Sequence, residues 1–175
     1  MVEPVRESFL FFLRNPRIIY GAEIGVRKGL NALAMLKHCA ELKLVLVDNY
    51  CEYADTSWNE EYTLKEGIID KQNMLEALKP YNDRITFLNK DSQIAAKDFP
   101  DNHFDYVYID AKHDEESVTI DLISWYPKVR NGGVLAGHDF CRSGVNTAVK
   151  KFFQGKEKIS CDGICIDWWI VKKCN

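Results

Sequence analysis

The chain has 175 residues and a net charge of −3 at pH 7, and its composition is 46% hydrophobic and 28% charged. This length fits one domain over residues 1–175, and the composition is that of a globular protein rather than a disordered or fibrous one. The small negative charge argues against a broad basic surface for nucleic-acid phosphates. We therefore expect no nucleic acid as a partner. Because no apolar run approaches the roughly 20 residues that span a bilayer, we expect no membrane partner either.

The amino-terminal segment 1–17 carries a short apolar run at residues 9–13. It lacks the basic start and the small-residue cleavage site of a signal peptide, so we expect a helix packed on the edge of the domain. The six cysteines include no Cys-x-x-Cys pair, and Cys161 and Cys165 have a poor spacing for zinc. We therefore expect mostly buried or neutral free thiols and a cytoplasmic location.

Apolar residues recur with strand and helix periods in alternation along the chain. A compact apolar run such as residues 42–47 suits a buried parallel strand, whereas the spacing over residues 30–40 indicates a helix. In chain order, the predicted elements are a strand over 18–24, a helix over 30–40, a strand over 42–47, a surface excursion over 50–64, a helix over 65–79, a strand over 85–88, a short helix over 94–99, a strand over 104–109, a helix over 115–126, a turn over 131–133, a strand over 134–136, a helix over 145–153 and two strand-like runs within 158–172.

The excursion over residues 50–64 is polar and aromatic and has no clear period. One interpretation is a lid whose Tyr53, Trp58 and Tyr62 cover a bound ligand. The other is an ordinary exposed loop with one anchoring aromatic side chain. The sequence leaves both open.

The carboxyl-terminal runs flank Asp162-Gly163, a pair that predicts a two-residue hairpin turn. The alternation upstream predicts an α/β fold with a mainly parallel sheet and helices on both faces. The hairpin would end that sheet with an antiparallel strand. Because adjacent strand residues point to opposite faces, Trp168 and Trp169 should pack on the two sides of the sheet.

An acidic residue stands at or just beyond the end of each of the first five predicted strands, where open α/β sheets bind ligands. Any one of them has a plain structural interpretation, since aspartate caps helices and opens turns. All five together indicate a ligand site at one edge of the sheet. The five acidic residues are Glu23, Asp48, Asp91, Asp110 and Asp139.

The first strand leads into a glycine loop, Glu23-x-Gly25-x-x-x-Gly29, which we call the glycine loop throughout. It matches neither the dinucleotide pattern Gly-x-Gly-x-x-Gly nor a phosphate loop. An acid beside the loop would repel a pyrophosphate and would favour a cationic amine or sulfonium. Asp48, at the end of the second strand, can accept hydrogen bonds from both hydroxyls of a ribose.

The glycine loop, Asp48 and the pair Asp91-Ser92 resemble the fingerprint of class I S-adenosylmethionine-dependent methyltransferases. The resemblance implies a Rossmann-like, doubly wound and mainly parallel seven-stranded sheet with an antiparallel carboxyl-terminal hairpin. It also implies S-adenosylmethionine as cofactor, with the glycine loop at its methionine part, Asp48 at its ribose and Asp91-Ser92 beside its adenine. The implied cofactor-binding residues are Glu23, Gly25, Gly29, Asp48, Asn49, Asp91, Ser92 and Asp110.

Residues 108–113 and 132–139 resemble one subgroup, the macrocin-type sugar O-methyltransferases. In that subgroup acids after the fourth and fifth strands bind magnesium, and a histidine three positions beyond the first acid is the base. The resemblance implies Asp110, His138 and Asp139 as metal ligands and His113 as the catalytic base. His138 stands where those enzymes carry an acid, and imidazole suits zinc, iron, nickel or copper better than magnesium.

Each histidine also has a structural interpretation. His113 could cap the following helix or merely bond to Asp110, and His138 could make a hydrogen bond at the rim of the pocket. His38 and His103 have the sequence surroundings of surface residues.

The sequence thus predicts O-methylation of a small hydroxylated acceptor, such as a sugar or a natural product. One alternative is a binding or scaffolding protein that keeps the cofactor pocket without turnover, since so short a chain has few residues for an acceptor pocket. A nucleic-acid methyltransferase is a third hypothesis. The negative net charge and the lack of an Asn-Pro-Pro-Tyr motif argue against it. The oligomeric state stays open, and a second copy could complete so small a pocket.

Overall fold

A computed structural model describes residues 17–55, 60–162 and 166–173. The predicted amino-terminal helix and Trp58 lie outside these residues, apart from Arg17. The strands are β1 (Tyr20–Ile24), β2 (Lys43–Val47), β3 (Tyr53–Asp55), β4 (Glu60–Tyr62), β5 (Ile85–Leu88), β6 (Phe104–Ile109), β7 (Val129–Gly137), β8 (Ser160–Cys161) and β9 (Trp168–Val171). The α-helices are α1 (Leu30–His38), α2 (Leu64–Leu78), α3 (Ser92–Ala95), α4 (Glu115–Trp125) and α5 (Ser143–Phe153), and short 3₁₀ turns follow α2, α3 and α4.

Seven strands form one sheet in the order β5-β2-β1-β6-β7-β9-β8. Strands β5, β2, β1, β6 and β7 are parallel, whereas β9 runs antiparallel to both β7 and β8. The fold class predicted from the sequence is therefore confirmed. Parallel strands bring their carboxyl ends to one edge of the sheet, and that edge holds the predicted ligand site.

Two hydrophobic clusters cover the two faces of the sheet. Along β2, Leu44 and Leu46 face the cluster that α1 and α2 complete, whereas Val45 and Val47 face the cluster of α4 and α5. This alternation follows from the two-residue period of a strand. The prediction for the tryptophans is confirmed, because Trp168 belongs to one cluster and Trp169 packs against the other.

The predicted turn over residues 131–133 is wrong, because these residues lie inside β7. The pairing of β6 with β7 shifts register between Phe104 and Tyr106, which is how a strand accommodates extra residues. A Cβ on Gly133 would lie 2.9 Å from the carbonyl oxygens of Arg130 and Asp105. Gly133 therefore allows a close approach of two strands, whereas Gly132 supplies a left-handed φ of 74°. The composition of this segment alone could not distinguish these two uses of glycine from a turn.

The predicted two-residue turn at Asp162-Gly163 is also wrong, although the antiparallel hairpin is present. Cys161 pairs with Trp168, so residues 162–167 connect the two strands. The Asp162 carboxylate accepts a hydrogen bond from the Ile166 amide at 2.7 Å, which closes this longer loop. Residues 163–165 lie outside the described part of the chain.

The excursion over residues 50–64 contains a small β3–β4 hairpin, which the sequence does not predict. After it, α2 begins with a capping box in which Thr63 and Glu66 satisfy each other's amides. In the part of the chain that the structure describes, no helix is long and apolar enough to cross a membrane.

The cysteine and histidine predictions are corrected in part. Cys51, Cys141 and Cys161 are free thiols but are exposed rather than buried, and Cys39 is a half-buried free thiol. His38 is exposed, as predicted. His103 is half-buried and stacks on aromatic rings of the core edge, including Phe99 at a centroid distance of 5.6 Å, so its prediction as a surface residue is wrong.

Candidate active site

A pocket opens at the carboxyl ends of β1, β2, β5 and β6. Six of the eight residues predicted to bind the cofactor line it, and the other two lie behind it. The six are Gly25, Asp48, Asn49, Asp91, Ser92 and Asp110.

Gly25 joins the end of β1 to the end of β6. Its backbone has a φ of 83°, in the left-handed region, and a Cβ built on it would lie 2.2 Å from the carbonyl oxygen of Asp110. The Asp110 amide in turn donates a hydrogen bond to Ile24 at 2.7 Å. Only glycine fits here, so the backbone itself forms this wall of the pocket.

Asp48 holds the glycine loop in place. One carboxylate oxygen accepts hydrogen bonds from the amides of Val26 and Arg27 at 2.8 and 2.9 Å. The other accepts one from the Tyr50 amide at 2.8 Å. The carboxylate that the sequence predicts at the ribose therefore also determines the conformation of the loop beside it.

Glu23 and Gly29 support the loop from behind. Glu23 is buried and accepts a hydrogen bond from the Asn31 side chain at 3.0 Å. Gly29 precedes α1, and a Cβ there would lie 2.8 Å from Cγ of Met74. The lack of a side chain at Gly29 allows α1 and α2 to pack closely. Neither Glu23 nor Gly29 lines the pocket.

The opposite wall contains a buried hydrogen-bonded chain that runs from Trp125 through Ser92 to Asp121. The Trp125 indole donates to the Ser92 hydroxyl at 2.9 Å, and that hydroxyl donates to the Asp121 carboxylate. Burial raises the pKa of Asp121 to about 6. Asp121 also lines the pocket, so a carboxyl group that resists ionisation lies next to the predicted adenine site.

The β3–β4 hairpin borders the mouth of the pocket with Tyr53 and Tyr62. Tyr62 is buried, and its hydroxyl donates to the Asp70 carboxylate of α2 at 3.2 Å. The Arg27 guanidinium lies 3.5 Å from the same carboxylate and 5.4 Å from the centre of the Tyr62 ring. The hairpin is thus anchored both to α2 and to the glycine loop.

A second group of polar side chains lies beyond β6 and β7, and we call it the Asp139 cluster: His113, His138, Asp139 and Arg142. His113 Nε2 and His138 Nδ1 lie 3.0 and 3.1 Å from one carboxylate oxygen of Asp139. Arg142 Nε lies 3.2 Å from the other oxygen. Burial opposes ionisation of Asp139, but the hydrogen bonds from the two histidines hold the pKa of its carboxyl well below its usual range.

Local backbone geometry assembles this cluster. Asp139 has a φ of 56°, and its carbonyl accepts the Arg142 amide at 2.8 Å in a tight turn. A Cβ on Gly144, in the first turn of α5, would lie 2.3 Å from the His113 carbonyl oxygen. This close contact brings the start of α5 against the segment after β6. Asp110 connects the cluster to the pocket, because its carboxylate lies 3.7 Å from His138 Nδ1.

The comparisons with known proteins agree with this geometry. Residues 22–140 match the family model described as a methyltransferase domain. This chain belongs to that methyltransferase family. No curated protein is similar to it in sequence.

Solved structures show the same fold at low sequence identity. The O-methyltransferase NovP aligns with a TM-score of 0.69 and 14% identity, over 99% of this chain and 79% of its own. Cofactor-bound Rv0187 from MTB aligns with 0.68 and 12%, over 96% and 79%. A spermidine synthase from Thermotoga maritima aligns with 0.63 and 14%, over 98% and 58%. The fold alone therefore does not determine the acceptor chemistry.

Three residues that line the pocket or belong to the Asp139 cluster are not predicted from the sequence. Arg27 lies inside the glycine loop, whose sequence pattern is defined by Glu23 and the two glycines and assigns no role to the residues between them. Asp121 is a carboxylate among apolar residues of α4, and such a position is a usable signal of a buried polar contact. Arg142 stands three residues after Asp139, but nothing in that spacing reveals the turn that brings the two side chains together.

The magnesium site implied by the resemblance fits these side chains poorly. Asp110, His113 and Asp139 can place one ligand atom each within 4.8 Å of one another. However, both oxygens of Asp139 already bind cationic or hydrogen-bonding groups, and Arg142 adds a positive charge. Magnesium prefers oxygen ligands in octahedral geometry, and the group offers carboxylate oxygens from only two residues.

Proposed function

We propose that this S-adenosylmethionine-dependent methyltransferase transfers a methyl group to a hydroxyl of a small acceptor. The observation that supports the acceptor chemistry is the Asp139 cluster beside Asp110, a wall residue of the pocket. Methyl transfer is an in-line displacement at a sulfonium carbon, so the enzyme must align the reactants. A neutral hydroxyl is a weak nucleophile, and a nearby imidazole supplies the base that removes its proton.

The cofactor residues keep the roles that the sequence predicts, with additions. In this proposal the backbone at Gly25 admits the methionine part, and Asp48 with Asn49 accepts the ribose hydroxyls. Asp91 and Ser92 lie beside the adenine. Asp110 contacts the cofactor near the methyl group. Glu23 and Gly29 act indirectly, through the loop they support, and Asp121 acts through its bond to Ser92.

Two histidines compete for the role of base. The sequence predicts His113, whose Nε2 is held by Asp139. The His113 side chain is 11% exposed, however, whereas that of His138 is 25% exposed and its Nδ1 lies 3.7 Å from the carboxylate of the pocket residue Asp110. Accessibility therefore favours His138 as the group that meets the acceptor, with His113 fixing the position of Asp139. In either case Asp139 stabilises the imidazolium that forms.

The hairpin within residues 50–64 acts as a lid in this proposal. Its Tyr53 and Tyr62 border the pocket, and its anchor is the Tyr62–Asp70 hydrogen bond. An aromatic wall over a bound cofactor would exclude water from the reacting atoms. Three further predictions come from the sequence alone: a single domain, a cytoplasmic location and a homo-oligomer. Light scattering of the purified protein tests the oligomeric state.

The direct test combines cofactor binding with product analysis. We expect calorimetry to show binding of S-adenosylmethionine, and mass spectrometry to show one added methyl group on phenolic or sugar hydroxyls from an acceptor panel. Matched amine and thiol acceptors are the controls. Methylation of amines alone would overturn the proposed acceptor chemistry. Binding without any product would favour the non-catalytic alternative, which the family membership does not favour.

A further inference from the structure

Arg142 lies against Asp139, one of the residues that the sequence resemblance implies as metal ligands. We propose that its guanidinium, rather than a bound metal, supplies the positive charge beside Asp139, and that methyl transfer here needs no divalent ion. The inference rests on the proposed O-methylation. It assigns Arg142 as a positioning residue that acts through Asp139 and the two histidines.

The first support is the occupancy of the Asp139 carboxylate. Arg142 Nε lies 3.2 Å from Oδ1, and the two imidazoles lie 3.0 and 3.1 Å from Oδ2. A metal ion bound to Oδ2 would have to replace one of the imidazole contacts, and one bound to Oδ1 would lie directly against the Arg142 guanidinium. The side chains of Arg142 and Asp139 are each only 16% exposed, so solvent screens their attraction weakly.

The second support is the balance of charge. Asp110 and Asp139 bring two negative charges to this edge of the sheet, and Arg142 brings a positive charge that does not titrate near neutral pH. A divalent cation would meet that charge at close range, which costs binding free energy in a partly buried site. The guanidinium instead satisfies Asp139 with a charge-assisted hydrogen bond.

The third support is that Arg142 is held in place by the backbone. Its amide donates to the Asp139 carbonyl at 2.8 Å, and its carbonyl accepts the Asn146 amide of α5 at 2.9 Å. The side chain therefore starts from a fixed point three residues after Asp139. A contact fixed in this way does not depend on the arrival of an ion.

The test is a titration of Mn²⁺ alone into the full chain, by calorimetry, with and without saturating S-adenosylhomocysteine. We expect no Mn²⁺ binding to the wild type up to millimolar concentrations. Arg142→Ser removes the positive charge and should bind Mn²⁺ at least about tenfold more tightly than the wild type does. Arg142→Gln, which keeps a hydrogen-bond donor without the charge, should behave like Arg142→Ser and replaces it if that variant does not fold.

Two control variants should resemble the wild type in the Mn²⁺ titration. Arg142→Lys keeps the charge. Arg130→Ser removes a similar ion pair, because Arg130 binds Asp105 at the opposite edge of the same sheet. Micromolar Mn²⁺ binding by the wild type would overturn the inference. So would Arg142 variants that bind Mn²⁺ no better than the wild type.

Turnover gives a second measurement that separates this inference from the proposed function. With an acceptor in hand, we expect methylation to persist in excess chelator. Loss of methylation on chelation would overturn the inference and leave the O-methyltransferase function standing. If no hydroxyl acceptor is methylated at all, the proposed function fails, but the Mn²⁺ titration still decides the role of Arg142.

Discussion

The two sides of the pocket are built in different ways. On the proposed cofactor side, the glycine loop is shaped by backbone contacts, with Gly25 against Asp110 and three amides on the Asp48 carboxylate. On the proposed acceptor side, the Asp139 cluster consists of side chains that come from the ends of two strands and the start of a helix. Backbone contacts tolerate almost no change, whereas side-chain contacts can be rearranged among similar residues.

Under the proposed function, this difference has a consequence. Every methyltransferase of this kind must hold the same cofactor, so a rigid backbone cradle serves all of them. Acceptors differ, and a cluster of exchangeable side chains allows the chemistry at the methyl group to vary on one fold. Single substitutions on either side of the pocket test this difference between backbone and side-chain contacts.

The largest effect on cofactor binding should come from Gly25→Ala. The new Cβ would lie 2.2 Å from the Asp110 carbonyl oxygen, so β1 and β6 must separate at the floor of the pocket. We expect S-adenosylhomocysteine affinity to fall by at least about 100-fold, which corresponds to about 2.7 kcal/mol. Calorimetry with the folded variant measures this.

Gly132→Ala is the matched control for backbone strain. Gly132 also has a left-handed φ, at 74°, but a Cβ there meets nothing within 4 Å. We expect a loss of about 1–2 kcal/mol in the free energy of unfolding and unchanged cofactor affinity. Wild-type affinity in Gly25→Ala would show that the backbone contact with Asp110 does not shape the pocket.

On the acceptor side, replacing the base should slow turnover and leave cofactor affinity nearly unchanged. Loss of a general base costs about 10²- to 10⁴-fold in kcat. We expect the larger loss for His138→Gln, because His138 is the more exposed histidine, and a smaller one for His113→Gln. A larger loss for His113→Gln would instead favour the base predicted from the sequence, and no loss in either variant would remove the histidines from catalysis.

The difference between local patterns and tertiary contacts also explains which features of the fold and the site can be predicted from the sequence. The sheet and the alternation of strands and helices follow from apolar periodicity, and Asp48, Asp91 and Asp110 follow from their places at strand ends, which are local patterns. Gly25 follows from the glycine loop, and Asn49 and Ser92 from the resemblance to the methyltransferase family. The turn at Gly132-Gly133 is mispredicted because a glycine that permits a close approach, such as Gly133, and a glycine that makes a turn look alike in the sequence. The hairpin turn at Asp162 is mispredicted because the Asp162 carboxylate closes a longer loop by accepting the Ile166 amide, a contact that the Asp-Gly pair does not reveal. Arg142 was missed because its role depends on the tertiary contact between α5 and the segment after β6.

A third prediction concerns the wall between the two sides, where Asp121 is buried under Ser92. Its pKa is raised to about 6 from the ordinary value of 3.8, chiefly by burial. Between about pH 4 and pH 6 the unfolded chain therefore ionises Asp121 while the folded protein keeps it protonated. Folded stability falls as the pH rises through this window, by up to about 3 kcal/mol from this one group above pH 6.

Asp121→Asn should remove this loss, since an amide oxygen can still accept the Ser92 hydrogen bond. We expect urea unfolding to show that the free energy of unfolding of the variant, relative to that of the wild type, increases from pH 4.5 to pH 7.5. This range covers most of the interval in which Asp121 ionises in the unfolded chain but not in the folded protein. Asp101→Asn is the control, because a hydrogen bond from Lys128 lowers the pKa of that exposed carboxyl below its ordinary 3.8, so the relative stability of this variant should stay nearly constant between pH 4.5 and pH 7.5. A relative stability of Asp121→Asn that does not change with pH would contradict the raised pKa.

The smallest effect should come from the lid anchor, with Tyr62→Phe. The substitution removes the hydroxyl that donates to Asp70 at 3.2 Å and keeps the ring in the pocket wall. Because Arg27 remains beside Asp70, we expect a loss of about 1–2 kcal/mol in unfolding free energy. If the hairpin closes over the cofactor, S-adenosylhomocysteine affinity should also fall, by up to about tenfold.

Tyr126→Phe separates the lid effect from a general loss of stability. Tyr126 makes an equivalent phenol–carboxylate hydrogen bond, to Glu157 at 2.9 Å, but it does not line the pocket. We expect a similar loss in unfolding free energy and an unchanged affinity for S-adenosylhomocysteine. Equal affinities in the two variants would mean that residues 50–64 form an ordinary anchored loop. A weaker affinity in Tyr62→Phe alone would show that the hairpin belongs to the rigid cofactor side of the pocket.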